Sequence, residues 1–198
     1  MSILAYCYGP FSTEKSVFCK NFSKLNADFK LIEAHKIRKK ITGSIIPGDK
    51  SLEIKTVEAI KEICINILNS NKKQNNVLIN GLFLNKQSRT NLAESLVDKV
   101  KVNFKKVAIA FIDDDVTECF EKNKKEKELK EITFDTIRSQ FLNFKMASTQ
   151  EEADLLISKV EEYDGKINLE AKMWGKDSTI ACDNLKKVGD YIKHIKSF

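Results

Sequence analysis

Apolar residues along this chain follow two alternating rhythms. Short continuous runs stand at 3–8 (Ile3-Leu4-Ala5-Tyr6-Cys7-Tyr8), 29–32 (Phe29-Lys30-Leu31-Ile32), 77–80 (Val77-Leu78-Ile79-Asn80), 106–112 and, more weakly, 160–163. Short apolar runs bounded by polar or turn residues predict buried strands. Between them, apolar residues recur at spacings of three and four, which predicts amphipathic helices. One helix follows the first strand, from Val17 to Leu25. A second, at 51–70, carries Leu52, Val57, Ile60, Ile63, Cys64, Ile67 and Leu68. Others are expected at 86–100 (Leu92, Leu96, Val97, Val100), at 149–160 (Ala153, Leu156, Ile157, Val160) and at 178–196 (Ile180, Leu185, Val188, Tyr191, Ile192, Ile195).

Strand and helix therefore alternate, the pattern of an α/β fold. The runs predict a parallel sheet of five strands with helices on both faces. Each crossover should be right-handed. No internal repeat or linker breaks the chain, so its 198 residues read as one domain. Pro47-Gly48-Asp49 is a turn that introduces helix 51–70, and Asn69 to Asn76 reads as a polar surface loop.

Composition adds little to this picture. The formal net charge of +6 favours a polyanionic partner, a nucleotide or a nucleic acid, but only weakly. The five cysteines form no C-x-x-C pair, and Cys7, Cys19 and Cys64 fall on apolar stripes. They read as buried free thiols of a reducing compartment. His35 and His194 are the only histidines, too few for a zinc site built on imidazole. No apolar run is long enough to cross a bilayer, and the N-terminus lacks the pattern of a signal peptide. A cytoplasmic protein with no membrane partner is expected.

The candidate chemistry begins directly after the first strand. Gly9-Pro10-Phe11-Ser12-Thr13-Glu14-Lys15-Ser16 matches the phosphate-binding loop G-x-x-x-x-G-K-[ST] except at Glu14, which replaces the second glycine. In such a loop the main chain around Gly9, Ser12, Thr13, Glu14, Lys15 and Ser16 faces an anion at a helix N-terminus. Lys15 would reach the β- and γ-phosphates and Ser16 would hold Mg²⁺. ATP and Mg²⁺ are the cofactors implied. Glu14 is expected to disturb this in two ways. A Cβ in a left-handed backbone costs roughly 1–2 kcal/mol. A carboxylate ~4 Å from a phosphate charge is repelled by about 4 kcal/mol at an effective dielectric of about 20. Turning the side chain outward, or pairing it with Lys15, would relieve the second effect.

Three further segments follow in order. Ile32-Glu33-Ala34-His35-Lys36-Ile37-Arg38 closes the second strand. Val77-Leu78-Ile79-Asn80-Gly81 ends the third and leads to Lys86-Gln87-Ser88-Arg89. The charged run 121–131 (from Glu121-Lys122-Asn123-Lys124-Lys125 to Glu131) precedes Ile132-Thr133-Phe134-Asp135-Thr136-Ile137-Arg138 and then Met146 to Ala153. Taken alone, the run is a solvated helix or loop, His35 starts a surface helix, Arg89 is a surface arginine and Trp174 is a packing anchor.

With the loop, from about residue 3 to about residue 160, these segments resemble the P-loop kinases related to the kinase domain of polynucleotide kinase. That group includes small ATP-dependent kinases and, more distantly, zeta toxins. The resemblance implies a P-loop NTPase fold with a helical lid, here about 121–133. It also implies transfer of the γ-phosphoryl group to a hydroxyl, on a polynucleotide end or a nucleoside-like molecule. In the family the second strand ends in a segment like Asp-x-x-Arg. Arg38 fits the arginine that holds the acceptor, and His35 stands in place of the proton-accepting aspartate. Imidazole suits that role near neutral pH. Asn80 takes the position of a metal-orienting carboxylate, so Ser16 and Asn80 are the implied metal residues. Arg89 matches an arginine at the next helix start. Lys122-Asn123 replaces a lid Arg-Asn, and Lys125 or Lys127 stands in for the next lid arginine, because Glu126 occupies that spot. Arg138 lies in the helix after the lid, and Thr149 to Glu152 reads as a capping box. Lys15, His35 and Arg38 thus carry the implied catalysis, Lys122 and Lys125 join the nucleotide contacts, and Arg38, Arg89 and Arg138 meet substrate.

The departures share a direction: glycine to glutamate, aspartate to histidine, carboxylate to amide, arginine to lysine or glutamate. Two functions therefore stay open, an ATP-dependent phosphotransferase and a catalytically inactive kinase-fold module that senses nucleotide or binds nucleic acid or protein.

Overall fold

In the computed structural model, the structure describes residues 1–70, 75–83, 86–111, 115–148, 155–163, 166–172, 179–182 and 185–194. The Thr149 to Glu152 box and Met173-Trp174-Gly175 lie outside these residues. The chain opens with β1 (Ser2–Tyr8), α1 (Thr13–Leu25), β2 (Phe29–Glu33), α2 (Ala34–Thr42), α3 (Lys50–Leu68) and β3 (Asn76–Gly81). It continues with α4 (Lys86–Val97), β4 (Phe104–Phe111), α5 (Val116–Lys125) and α6 (Phe134–Ser148). It ends with β5 (Leu155–Tyr163), β6 (Lys166–Lys172), β7 (Thr179–Cys182) and α7 (Leu185–His194).

All these strands join one seven-stranded sheet in the order β2-β3-β1-β4-β5-β6-β7. The pairs from β2 to β5 are parallel, whereas β5–β6 and β6–β7 are antiparallel. The parallel sheet flanked by helices is as expected, but an antiparallel pair extends it beyond five strands. Two of the predicted helices are also corrected. Leu155–Tyr163 is strand β5, not part of a helix at 149–160. Leu155, Leu156, Ile157 and Val160 satisfy a helical spacing and a buried strand alike, and pairing with β4 decides for the strand. The helix expected at 178–196 begins only at Leu185, since Thr179–Cys182 is β7. Asn76 is likewise no surface-loop residue: it is buried at the start of β3, and its Oδ1 accepts from the Ile3 N–H at 2.9 Å.

Strand β1 is the spine, buried along its whole length. Successive side chains point to opposite faces of a strand. Ile3, Ala5 and Cys7 accordingly join one core with Phe18, Cys19 and Phe22 of α1 and Leu185, Val188 and Ile192 of α7. Leu4, Tyr6 and Tyr8 join the opposite core with Ile60 and Cys64 of α3 and Leu92 and Leu96 of α4. Phe22 stacks between Phe18 (5.6 Å) and Phe29 (5.0 Å) and fixes α1 against the sheet. Fully burying each such ring is worth about 1.5–3 kcal/mol. That anchorage holds the loop preceding α1 in place. A third cluster (Phe11, Ile45, Cys119, Leu129, Ile132, Ile137 and Phe141) covers the loop. The charged run 121–131 is therefore not wholly solvated, because Leu129 is buried in it. Cys7, Cys19, Cys64 and Cys119 are buried free thiols. Among the described residues no helix is long and apolar enough to cross a membrane.

Candidate functional site

Residues 9–12 link β1 to α1, whose first turn holds residues 13–16, at the carboxyl end of the sheet beside the carboxyl ends of β3 and β4. In such open α/β sheets this end is where ligands bind. Gly9 has φ +146°, and a Cβ there would stand 2.5 Å from the Phe111 carbonyl oxygen, so only glycine fits. The Lys15 side chain folds back under the loop. Its Nζ donates to the carbonyl oxygens of Gly9 at 2.7 Å and Gly81 at 2.9 Å. Burial strips water from this ammonium and pulls its pKa down to about 8, against the opposing pull of the nearby Cys7, Cys19 and Cys119 thiols.

Glu14 takes the outward turn that relieves its charge, but the backbone strain and the Lys15 pairing expected of it are absent. It sits in the first turn of α1, and Phe83 is the only non-glycine described residue with positive φ. The position therefore needs no glycine. Nor does the carboxylate pair with Lys15: it turns outward to an ion pair with Lys122 of α5. Lys122 also meets Glu118 at 2.7 Å. Partial desolvation lowers the Lys122 pKa, but hydrogen bonds to Glu118 and Glu14 outweigh it and hold the ammonium well above its usual range.

Ser12 occupies the N-cap of α1 but makes no side-chain cap. Asn123 of α5 does that work from 110 positions away. Its Oδ1 accepts from the Thr13 N–H and from the Thr13 hydroxyl, both at 2.9 Å. Its Nδ2 donates to the Phe11 carbonyl at 2.9 Å, and the Phe11 N–H donates to Gln140 Oε1 at 3.0 Å. Asn123 and Gln140 are structural partners of the loop that sequence reasoning missed. The only signal was Asn123 beside Lys122 in the lid segment. The amides of Glu14 and Lys15 have no acceptor among the described residues. Backbone N–H groups at a helix N-terminus favour an anion.

A small cavity of about 10 Å³ brings Lys15, Ser16, His35, Arg38 and Asn80 together. Register explains the convergence: Asn80 pairs with Cys7 of β1 and Glu33 of β2, so the carboxyl ends of these strands are level. Asn80 is buried, and its Nδ2 lies 3.4 Å from Ser16 Oγ. His35 does not start a surface helix; it is buried in the first turn of α2. Burial holds its pKa below 6.5 despite the neighbouring Glu33 and Glu128 carboxylates, so the ring is neutral at pH 7. Arg38 is a buried fork on Glu53, with Nε–Oε1 at 2.8 Å and Nη2–Oε2 at 3.0 Å.

Other expected site residues stand apart from this cavity. Arg89 is buried, not on the surface; its guanidinium lies 3.8 Å above the Tyr8 ring and donates to the Phe83 carbonyl. Lys125 and Arg138 are exposed on α5 and α6. Glu33 was also missed by sequence reasoning; one of its carboxylate oxygens is buried without a hydrogen-bond partner.

Mg²⁺ takes few protein oxygens and keeps waters and phosphate oxygens for the rest. The Ser16 hydroxyl, with the Asn80 carboxamide 3.4 Å away, fits that modest donor set. Glu33, His35 and Glu128 also converge, with ligand atoms within 4.8 Å of one another. There the Lys36 ammonium already bridges Glu33 at 2.7 Å and Glu128 at 3.3 Å, so the cluster is an ion-pair network.

No family model matches the chain, and no curated protein matches its sequence. Its fold is similar to a chain of the Pnkp1/Rnl/Hen1 RNA repair complex, with TM-score 0.58 and 16% identity over 77% of this chain. This chain spans about half the length of that one (47%). It is also similar to the tunicamycin resistance protein of Deinococcus radiodurans, with TM-score 0.50 and 10% identity over 80% of this chain and 86% of that one. The likeness is one of fold.

Proposed function

We propose that this chain is an ATP-dependent phosphotransferase that moves the γ-phosphoryl group to a hydroxyl on a polynucleotide end or a nucleoside-like molecule. The observation that carries this reading is the single cavity walled by Lys15, Ser16, His35, Arg38 and Asn80. ATP supplies the phosphoryl group and Mg²⁺ screens its charge. Lys15 exchanges its carbonyl partners for phosphate oxygens, as a point charge suited to that contact. Ser16 and Asn80 hold the metal. Neutral His35 takes the proton of the acceptor hydroxyl, and Arg38, fixed by Glu53, positions the acceptor. The described elements are read as one domain, with α5 and the turn after it, about 121–133, as the lid.

The test is thermal unfolding with and without ATP and Mg²⁺. Binding stabilises by mass action, so the melting temperature should rise, and Lys15→Ala should abolish the rise. No rise at millimolar ATP with Mg²⁺ would sink the proposal.

Two contacts favour a second reading, a catalytically silent nucleotide-binding module. Asn123 already occupies the Thr13 amide, and the Glu14–Lys122 pair ties the loop to α5. That reading predicts a melting rise with ATP and no label transfer to any acceptor.

A further inference from the structure

On the phosphoryl-transfer reading above, we infer that the acceptor is a small uncharged molecule bearing hydroxyls, of nucleoside size, and not a polynucleotide end. A groove of about 600 Å³ runs between α2, α3 and α4. Arg38 and Leu82 wall both this groove and the loop cavity, so the two spaces adjoin. Small-molecule sites span about 300–1,000 Å³, and a nucleoside or hexose fits that size.

Charge then decides the class. Among the described residues, the charged groups lining the groove are Arg38, Glu53, Glu58 and Lys61. Each cation is matched to its own carboxylate: Arg38 to Glu53, and Lys61 to Glu58 at 2.9 and 3.1 Å. These formal charges cancel. Polynucleotide affinity comes from lysines and arginines that neutralise phosphates. A phosphodiester in this groove would meet two carboxylates and no cation without one. The lining instead offers hydroxyls and apolar faces. Thr56 Oγ1 and Ser95 Oγ donate to the helix carbonyls of Leu52 and Leu92, at 2.9 and 2.8 Å. Thr56 is buried, so the half-buried Ser95 hydroxyl is the one whose lone pairs remain to accept from ligand hydroxyls. Phe83 and the exposed Val57 add apolar surface.

The lysine-bearing face of α2 does not offer a better polyanion site. Its pocket is smaller, about 270 Å³, and is lined by Lys36, Lys39 and Lys40. Lys36 is tied to Glu33 and Glu128, and Lys39 to Glu131. In the reaction assigned, the acceptor oxygen bonds to the γ-phosphorus and its proton passes to His35. The bond from that phosphorus to the bridging oxygen breaks, and ADP leaves.

The test is transfer from γ-labelled ATP with Mg²⁺ to adenosine, uridine and uncharged hexoses, set against a 5′-hydroxyl oligonucleotide. A neutral probe should take the label with a KM that does not rise with salt. Ser95→Phe, which fills the groove, should raise that KM roughly tenfold, about 1.4 kcal/mol of binding. It should leave the ATP-induced melting shift unchanged. If Ser95→Phe does not fold, Val57→Trp on the exposed groove rim serves the same purpose. Label on the oligonucleotide, falling as salt rises, overturns the inference and leaves the phosphotransferase standing. A melting rise with ATP while no neutral probe is labelled also overturns the inference, and if the oligonucleotide stays unlabelled too the phosphotransferase gives way to the silent module. Absence of any ATP-induced rise removes the phosphotransferase itself, and this inference with it.

Discussion

The carboxamide of Asn123 accepts from the main-chain N–H of Thr13 at 2.9 Å, so a residue of α5 caps the helix that opens the phosphate loop. The same carboxamide donates to the Phe11 carbonyl, which ties the loop at two points. Asn123 is 1% exposed, so truncation leaves buried polar atoms without partners. Such groups cost about 1–3 kcal/mol. Asn123→Ala should therefore lower the melting temperature of the ligand-free protein by about 2–4 °C for each kcal/mol lost. It should also enlarge the rise caused by ATP, because the Thr13 amide is released to an anion. Differential scanning fluorimetry checks both, and an unchanged ATP response would show that Asn123 does not compete with phosphate.

Glu14 and Lys122 form the second link between the loop and α5. Lys122 is 36% exposed, so solvent weakens the pair, and such pairs contribute about 0–1 kcal/mol. Glu14→Gly should change stability little, because part of its small loss is helix propensity in the first turn of α1. ATP affinity should rise, since a carboxylate leaves the neighbourhood of the phosphates. Isothermal titration reads the change directly. Equal affinity in both proteins would mean that the outward turn of Glu14 already removes the repulsion.

Local pattern made much of this fold legible. The runs around Leu4, Leu31, Leu78 and Val107 all became parallel strands, and those around Leu4 and Leu78 are apolar because β1 and β3 are buried on both faces. The helix at 149–160 was misread because Leu156, Ile157 and Val160 satisfy both periods. At the candidate site, chain order placed Lys15, Ser16, His35, Arg38 and Asn80 at strand ends, and level register joined them in one cavity. What could not be read was side-chain partnership over long separations. Asn123 meets Thr13 across 110 positions, and Arg89 lies over Tyr8. Glu14 was misjudged for a geometric reason, since the second glycine of the motif here falls inside a helical turn.

His35 gives the protein an acid-side dependence. Burial lowers its pKa in the folded state below the ordinary value of 6.5. As the pH falls below about 6.5, the unfolded chain takes up the proton first. The stability associated with neutral His35 is therefore fully present above that value and is lost as pH falls through the folded pKa. His35→Gln should flatten this part of the stability curve, measured by urea unfolding between pH 7 and pH 5. In the phosphotransferase, transfer should fall on the same acid limb, because a protonated ring cannot accept the acceptor's proton. A transfer rate insensitive to pH in that range, with His35 intact, would exclude it as the base.

Lys15 should leave the corresponding mark on the alkaline side. Its folded-state pKa is about 8, against an ordinary 10.5, because burial disfavours the ammonium. Between these values the unfolded chain holds the proton and the folded chain releases it, so stability rises with pH across the window. The Lys15 contribution is complete above 10.5 and is lost as pH falls toward 8. Lys15→Met removes this rise, and it also leaves the Gly9 and Gly81 carbonyls without their donor. The variant should therefore differ from the parent in slope and not merely in level when denaturant midpoints are compared from pH 7.5 to pH 10. Parallel curves would mean that Lys15 keeps an ordinary pKa and that its ammonium is not held dry beneath the loop. An anion seated on the Glu14 and Lys15 amides should push the Lys15 pKa upward, since an opposite charge favours the ammonium. Adding ATP with Mg²⁺ should then shrink the parent's alkaline slope while leaving the variant's curve where it was.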